Sequence, residues 1–289
     1  KDNCASMSRI VTIGEPEPVE LSIMPGYVAD KGASTGWANL VASKGNGRYN
    51  VEWYSGSSVN PANLISAGVT TSKSVVSSRP AGTYMVRVQD TALCNYWETS
   101  WLNKTFVIPE PEKSLSLEAL VKNVRCYGES NGEFELKASG GWGNKYLFGT
   151  SATDITLSNP IQTGYAAGNY TFYVKDTAGV VKSATFAMNQ PQALNAGVSA
   201  IKDALCYGSA DGEVKLNVSG GTGNYSVSAD GVNWSPGFIK SALPAGSYII
   251  YVKDSVGCET QVTANIRQPD QLVLTNTSVT GTRCLMNEG

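Results

Sequence analysis

The chain of 289 residues contains no histidine. That absence removes the commonest general base near neutral pH, and with it every His-based triad and every His metal ligand. Charge is scarce too. Asp, Glu, Lys and Arg make up 16% of the residues and leave a net charge of −2, which gives nucleic acid and anionic membranes nothing to attract. No apolar run approaches the roughly 20 residues needed to span a bilayer as a helix. None of the six cysteines forms a C-x-x-C pair, which excludes a zinc knuckle and a thioredoxin-like redox site. The chain opens on Lys1 rather than Met and shows no signal peptide, so it reads as a piece of something longer.

What the sequence has in abundance is glycine (30 residues), together with Ser, Thr and Val, and one pattern that returns three times. The pattern runs Ala81-Gly82-Thr83-Tyr84-Met85-Val86-Arg87-Val88-Gln89-Asp90-Thr91, then Ala167–Thr177, then Ala245–Ser255. In the first copy Tyr84, Val86 and Val88 alternate with Met85, Arg87 and Gln89, the period of two of a strand with one buried face. Ala-Gly before it is a tight turn, and Asp-Thr or Asp-Ser after it closes the next one. A Tyr at the head of a late strand matches the tyrosine corner of immunoglobulin-like sandwiches.

Around these strands the chain divides into residues 1–18 as the end of a preceding repeat, repeats at 19–111, 112–191 and 192–269, and residues 270–289 as the start of a following one. Cys126-Tyr127-Gly128 returns 80 positions on as Cys206-Tyr207-Gly208, and Ser139–Asn144 as Ser219–Asn224. The first repeat is divergent, with extra residues around Ser55–Ser78 that call for longer loops or an added strand. Each repeat reads as a strand (Leu115–Val121 in the second), a Cys-Tyr-Gly early loop, a strand (Glu133–Ser139), a glycine hairpin and a third strand (Lys145–Gly149). Weak middle strands, the Tyr strand, a late loop and a last strand ending at Gln-Pro (Ala184–Met188) follow. Seven or so short strands in about 80 residues make an all-β tandem array of immunoglobulin-like β-sandwiches. The closing Pro stiffens each link, and an elongated rod is expected.

The run from Cys206-Tyr207-Gly208 through Asp211-Gly212, Ser219–Tyr225, Leu243–Tyr248, Val252-Lys253-Asp254, Gly257-Cys258 and Gln268-Pro269 resembles the SprB repeat of very large secreted adhesins of gliding Bacteroidetes. The second repeat lacks only the last Cys, with Val180 there; the first lacks the opening Cys, with Asp30 there, and the double Gly. The resemblance implies an extracellular place at the bacterial cell surface, export by the type IX pathway, and attachment during gliding. Its implied partners are neighbouring repeats, extracellular surfaces or polysaccharide, and outer-membrane motility and secretion machinery reached through parts outside this chain. It also draws attention to Asp90-Thr91-Ala92, Asp176-Thr177-Ala178 and Asp254-Ser255-Val256. These resemble the sequon at which such bacteria attach O-glycans, and imply a glycan on Thr91, Thr177 and Ser255. A plain Asp-Ser/Thr turn is the alternative.

The residues themselves offer little chemistry. The repeated types are Gly, Tyr, Val and turn Asp, with no convergent catalytic set, so no enzyme and no cofactor are expected. Gly140-Gly141-Trp142-Gly143 lies between strands with no helix following, which rules out a phosphate loop. Asp211, Asp230 and Asp254 are conceivable calcium ligands between repeats, but no dense acidic loop accompanies them. Trp37 and Trp53 sit in strands and read as core, whereas Tyr96, Trp97, Trp101 and the turn residue Trp142 are candidate ligand-contact aromatics. The rival to an adhesin segment is a carbohydrate-binding or spacer segment of a large secreted enzyme, and an aromatic row repeated in register would favour it.

The cysteines occupy two slots, the early loop and the late loop, filled by Asp30 and Cys94, then Cys126 and Val180, then Cys206 and Cys258. Five strands intervene in a seven-stranded sandwich, and an odd number sets the two loops at opposite ends. An early loop then faces the late loop of the next repeat, which pairs Cys126 with Cys258 across a repeat boundary and leaves Cys4, Cys94, Cys206 and Cys284 to partners elsewhere. Four or six intervening strands would pair Cys206 with Cys258 instead.

Overall fold

A computed structural model describes residues 9–10, 17–91 and 101–275. Among these residues the regular structure is β throughout, apart from one 3-10 turn at Pro61–Asn63. The first repeat holds β1 (Glu20–Pro25), β2 (Gly36–Ser43), β3 (Tyr49–Ser55), β4 (Leu64–Thr70), β5 (Lys73–Arg79), β6 (Gly82–Asp90) and β7 (Leu102–Ile108). The sheets β1-β2-β5 and β4-β3-β6-β7 face each other, and the pairings of β1 with β2, β2 with β5, β3 with β4 and β6, and β6 with β7 are antiparallel. Between them lies a core of Ala38, Leu40, Tyr49, Val51, Trp53, Val76, Val86 and Val88, all at most 5% exposed. This three-on-four arrangement is an immunoglobulin-like sandwich.

The second repeat contributes β8 (Ser116–Lys122), β9 (Gly132–Ser139), β10 (Leu147–Gly149), β11 (Ile161–Tyr165), β12 (Gly168–Lys175) and β13 (Val181–Met188), in sheets β11-β9-β8 and β10-β12-β13. The third has β14 (Asn195–Lys202), β15 (Gly212–Ser219), β16 (Ser226–Ser228), β17 (Ser235–Pro236), β18 (Ile239–Leu243), β19 (Gly246–Lys253) and β20 (Glu259–Ile266). Its sheets β14-β15-β18 and β17-β16-β19-β20 repeat the order of the first. Its core is Val214, Leu216, Val227, Leu243, Ile250, Val252, Ala264 and Ile266. In the first and third repeats five strands stand between the early and the late loop.

The extra length of the first repeat goes into β4 and β5, seven residues each. Their counterparts in the third repeat are two and five residues long, and the second keeps isolated bridges, Phe148 with Leu157 and Ser151 with Asp154, at the first of these positions.

All three Tyr strands carry the tyrosine corner. The hydroxyls of Tyr84, Tyr170 and Tyr248 donate to the carbonyls of Pro80, Ala166 and Pro244, each four residues upstream, at 2.8, 3.1 and 2.9 Å. Alternation along β6 is incomplete. Tyr84, Val86 and Val88 are buried, but so is Met85 on the opposite face. There Met85 pairs across β3 with buried Tyr54, and beside them Arg87 is ion-paired to Glu52 at 2.6 Å and lies over the rings of Tyr54 and Trp101. Long polar and aromatic side chains thus shield an outer sheet face that a period-of-two pattern assigns to solvent.

By contacts the chain forms two compact units. One takes in the first repeat with Leu136–Pro160 and Thr171–Thr185; the other takes in Leu120–Glu135, Ile161–Tyr170 and the chain from Phe186 onward. Each unit therefore contains one complete repeat and one junction between consecutive repeats.

Candidate functional site

The junctions are assembled from three short segments whose roles recur in every repeat. The first is the early loop, where Gly32, Gly128 and Gly208 adopt φ of +74°, +78° and +76°, a left-handed turn that glycine enters without strain. Their N–H groups donate to the side chains of Glu110, Gln190 and Gln268 at 2.8, 2.8 and 2.9 Å. The Gln or Glu before the closing Pro is thus a clasp that fixes the early loop, a function not evident from its place at the end of a strand.

The second segment is the glycine hairpin. Gly45, Gly141 and Gly221 donate their N–H to Glu17, Lys113 and Gln192 in the incoming link, at 2.9, 2.9 and 3.0 Å. The hydroxyls of Tyr49, Tyr146 and Tyr225 close the same hairpins onto the carbonyls of Lys44, Gly140 and Gly220. A Cβ on Gly141 would stand 2.6 Å from the Asp176 carboxylate, so this position needs glycine for space as well as for its φ of +68°.

The third is the late loop. Asp176 and Asp254 are 5% and 4% exposed. Asp176 accepts from the backbone N–H of Trp142, Ala178 and Val180 at 2.8, 3.0 and 2.9 Å, and Asp254 from Thr222, Val256 and Cys258 at 2.8, 3.0 and 2.8 Å. A buried carboxylate surrounded by three N–H donors is satisfied without a counter-cation. The neighbouring hydroxyls of Thr91, Thr177 and Ser255 donate to the carbonyls of Arg48, Trp142 and Thr222, tying late loop to hairpin.

In the first unit the early loop of the first repeat meets the hairpin and late loop of the second. Lys182 Nζ lies 2.9 Å from Asp30 Oδ2. That partner, helped by Ser114 and the Lys31 N–H, holds the Asp30 carboxyl below its ordinary value, against the opposing effect of burial. Trp142 Nε1 donates to the Val28 carbonyl at 2.8 Å, and its ring packs at 5.2 Å on Tyr27, whose hydroxyl reaches the Ala178 carbonyl at 3.4 Å. Lys31 Nζ donates to the Glu112 carbonyl at 2.6 Å. An open cleft of about 440 Å³ runs beside these contacts, between Glu110, Glu112, Lys113, Trp142 and Tyr146.

In the second unit the equivalent place is covalent. Cys126 and Cys258 form a disulfide with Cα atoms 5.6 Å apart, 132 residues apart in sequence, and Cys258 Sγ lies 3.5 Å from the Arg125 carbonyl oxygen.

Trp142 is thus engaged at a junction, and one face of Trp101 is occupied by the Arg87 guanidinium 4.2 Å away. Tyr96 and Trp97 lie outside the described residues, as do Cys4, Cys94 and Cys284. Trp53 is core, with Nε1 donating to Ser74 Oγ at 2.9 Å, and the Trp37 ring covers Gly26 so closely that a Cβ there would stand 2.4 Å from it. Asp211 accepts from the Leu205 N–H and from Ser209, while Asp230 takes the N–H groups of Val232 and Asn233 and the Asn233 side chain, donors that hold its carboxyl far below the usual range. Among the described residues no three Cys, Asp or Glu side chains gather as a metal site. No helix among them is long and apolar enough to cross a membrane.

Tandem sandwiches clasped end to loop, with a disulfide at one boundary and an ion pair at the other, define a class of repeat protein. The family model of the SprB repeat matches residues 119–144 and 198–227. Both matches begin midway along a repeat's first strand and run through the early loop to the glycine hairpin, the second continuing into β16. No curated protein sequence matches the chain. Among solved structures, the I-band fragment I67–I69 of titin is 13% identical, covering 88% of this chain and 99% of that one at a TM-score of 0.38. Immunoglobulin domains 1–5 of Sidekick-1 are 10% identical over 88% and 59% at 0.34. A C-terminal 282-residue fragment of intimin, in complex with the intimin-binding domain of its translocated receptor, is 15% identical over 67% and 70% at 0.35.

Proposed function

We propose that this chain is a structural and adhesive segment of a long secreted bacterial surface adhesin, serving attachment and gliding, exported by the type IX pathway and without catalytic activity of its own. The observation that carries the reading is the Cys126–Cys258 bridge between consecutive repeats that match the SprB repeat. A bond at that place lets tension pass from one repeat to the next without unfolding either, which suits a cell-surface tether. Removing the repeat-coding segment from the source bacterium should reduce surface attachment and spreading of colonies; undiminished attachment and gliding would contradict the reading.

An elongated particle belongs to the same proposal, each sandwich adding about 35–40 Å, and small-angle scattering from a compact globule would count against it. O-glycans on Thr91, Thr177 and Ser255 belong to it too. Each glycan would replace a hydroxyl proton now donated to a hairpin carbonyl, so modification would exchange one hydrogen bond for a sugar. Native material with the bare polypeptide mass would remove that element. The rival carbohydrate-binding segment calls for aromatics repeated in register, and Thr222 stands at the counterpart of Trp142.

A further inference from the structure

The early loop of the third repeat copies the bonds that frame the loop of the second. Gly128 and Gly208 donate to Gln190 and Gln268, Arg125 and Leu205 donate their N–H to Asn131 and Asp211, and Val124 and Ala204 donate theirs to Asn189 and Arg267. A cysteine therefore stands in the same frame in both loops. In the second repeat Cys126 is 8% exposed and bonded to Cys258. In the third, Cys206 is exposed and is the free cysteine among the described residues, flanked by Leu205 at 69% exposure and Tyr207 at 54%. Tyr127 is 59% exposed beside the closed bridge, so the flanking side chains do not set the two loops apart; the thiol does, standing free on a frame already seen closing a bridge, and it is one half of an interface.

The other half is defined as well. Asp254 takes the N–H of Cys258, and the bond from Cys258 to Cys126 shows that the residue four positions after this Asp faces the junction. In sequence Cys94 keeps the same spacing from Asp90.

We propose that Cys206 forms a second inter-repeat bridge. The early-loop end of the third repeat receives the late-loop end of another sandwich of this repeat class, and the partner cysteine is the one four residues after that sandwich's strand-ending Asp. Residues 270–289, which restart the repeat in sequence and include Arg283-Cys284 as the counterpart of Arg125-Cys126, argue for an occupant of this kind. The bond forms by thiol–disulfide exchange. The Cys206 thiolate attacks a disulfide donor such as oxidised glutathione and releases one thiol; the partner thiolate then displaces the second. Two protein thiols are oxidised and one donor disulfide is reduced to two thiols.

The inference rests on the junction reading above. It is tested on protein isolated from its source, with free thiols blocked by iodoacetamide during lysis, followed by a non-reducing tryptic digest. The expected product is peptide Asp203–Lys215 linked to a late-loop peptide other than that of Cys258, its cysteine following an Asp by four positions, within the same polypeptide or a second molecule. Cys206 found alkylated, capped by a small thiol, or joined to Cys258 or to any cysteine outside a late loop overturns the proposal. The Cys126–Cys258 linkage in the same digest separates the two readings. If it is present beside an alkylated Cys206, only this inference fails; if it is absent as well, the junction reading fails with it.

Discussion

Asp30 stands in the early-loop position that Cys126 fills one repeat later, and Lys182 lies two residues beyond Val180, the counterpart of Cys258. Because the folded Asp30 carboxyl is held below its ordinary value near 3.8, its contribution is fully present above about pH 4 and is lost as pH falls through the lower folded value. With Lys182 nearly half exposed the pair contributes at most about 1 kcal/mol. An NMR titration of the Asp30 carboxyl should show a midpoint below 3.8 that rises in Lys182→Gln; an unshifted midpoint in the parent protein would exclude the pair. Asp254 carries more. Asp254→Ala leaves three N–H groups without their acceptor, about 1–3 kcal/mol for each donor that stays buried, and the urea midpoint should drop by a corresponding amount. An unchanged midpoint would mean that the late loop is not held by this carboxylate. The strand-ending Asp is legible from sequence as a turn residue. Its burial is not, because two of its three donors lie in its own loop but the third, Thr222, is 32 positions upstream, and no local pattern reports that pairing.

At the scale of elements, the Tyr strand and its corner are legible because both are local, a turn followed by alternation and a bond four residues long. The closing Gln-Pro is legible only in half. Pro ends the strand, but Gln190 and Gln268 reach 62 and 60 residues back to the early loop. The available signal was the co-occurrence, in each repeat, of a left-handed Gly and a side-chain acceptor before Pro. Gln190→Ala and Gln268→Ala should each speed amide exchange at Gly128 and Gly208 by roughly tenfold, the equivalent of about 1.4 kcal/mol. Unchanged protection would show that the loop holds itself. The middle strands are the least legible elements: β17 has two residues and its counterpart in the second repeat is a pair of isolated bridges, too short for any period to show.

For the whole molecule, the odd number of strands between two loops decides which cysteines meet, a consequence of topology rather than of any motif. Covalent coupling of consecutive repeats changes how such an array bears load. Stability in a repeat array is otherwise a sum of repeat and neighbour terms, whereas a bridge spanning 132 residues adds about 2–4 kcal/mol and shields the enclosed chain from tension. Single-molecule stretching between the chain ends tests this most directly. Without reductant, the segment between Cys126 and Cys258 should add nothing to the contour length at any force that leaves disulfides intact. With reductant, about 450 Å more should appear, the extended length of the 132-residue separation. The full contour released without reductant would contradict the account.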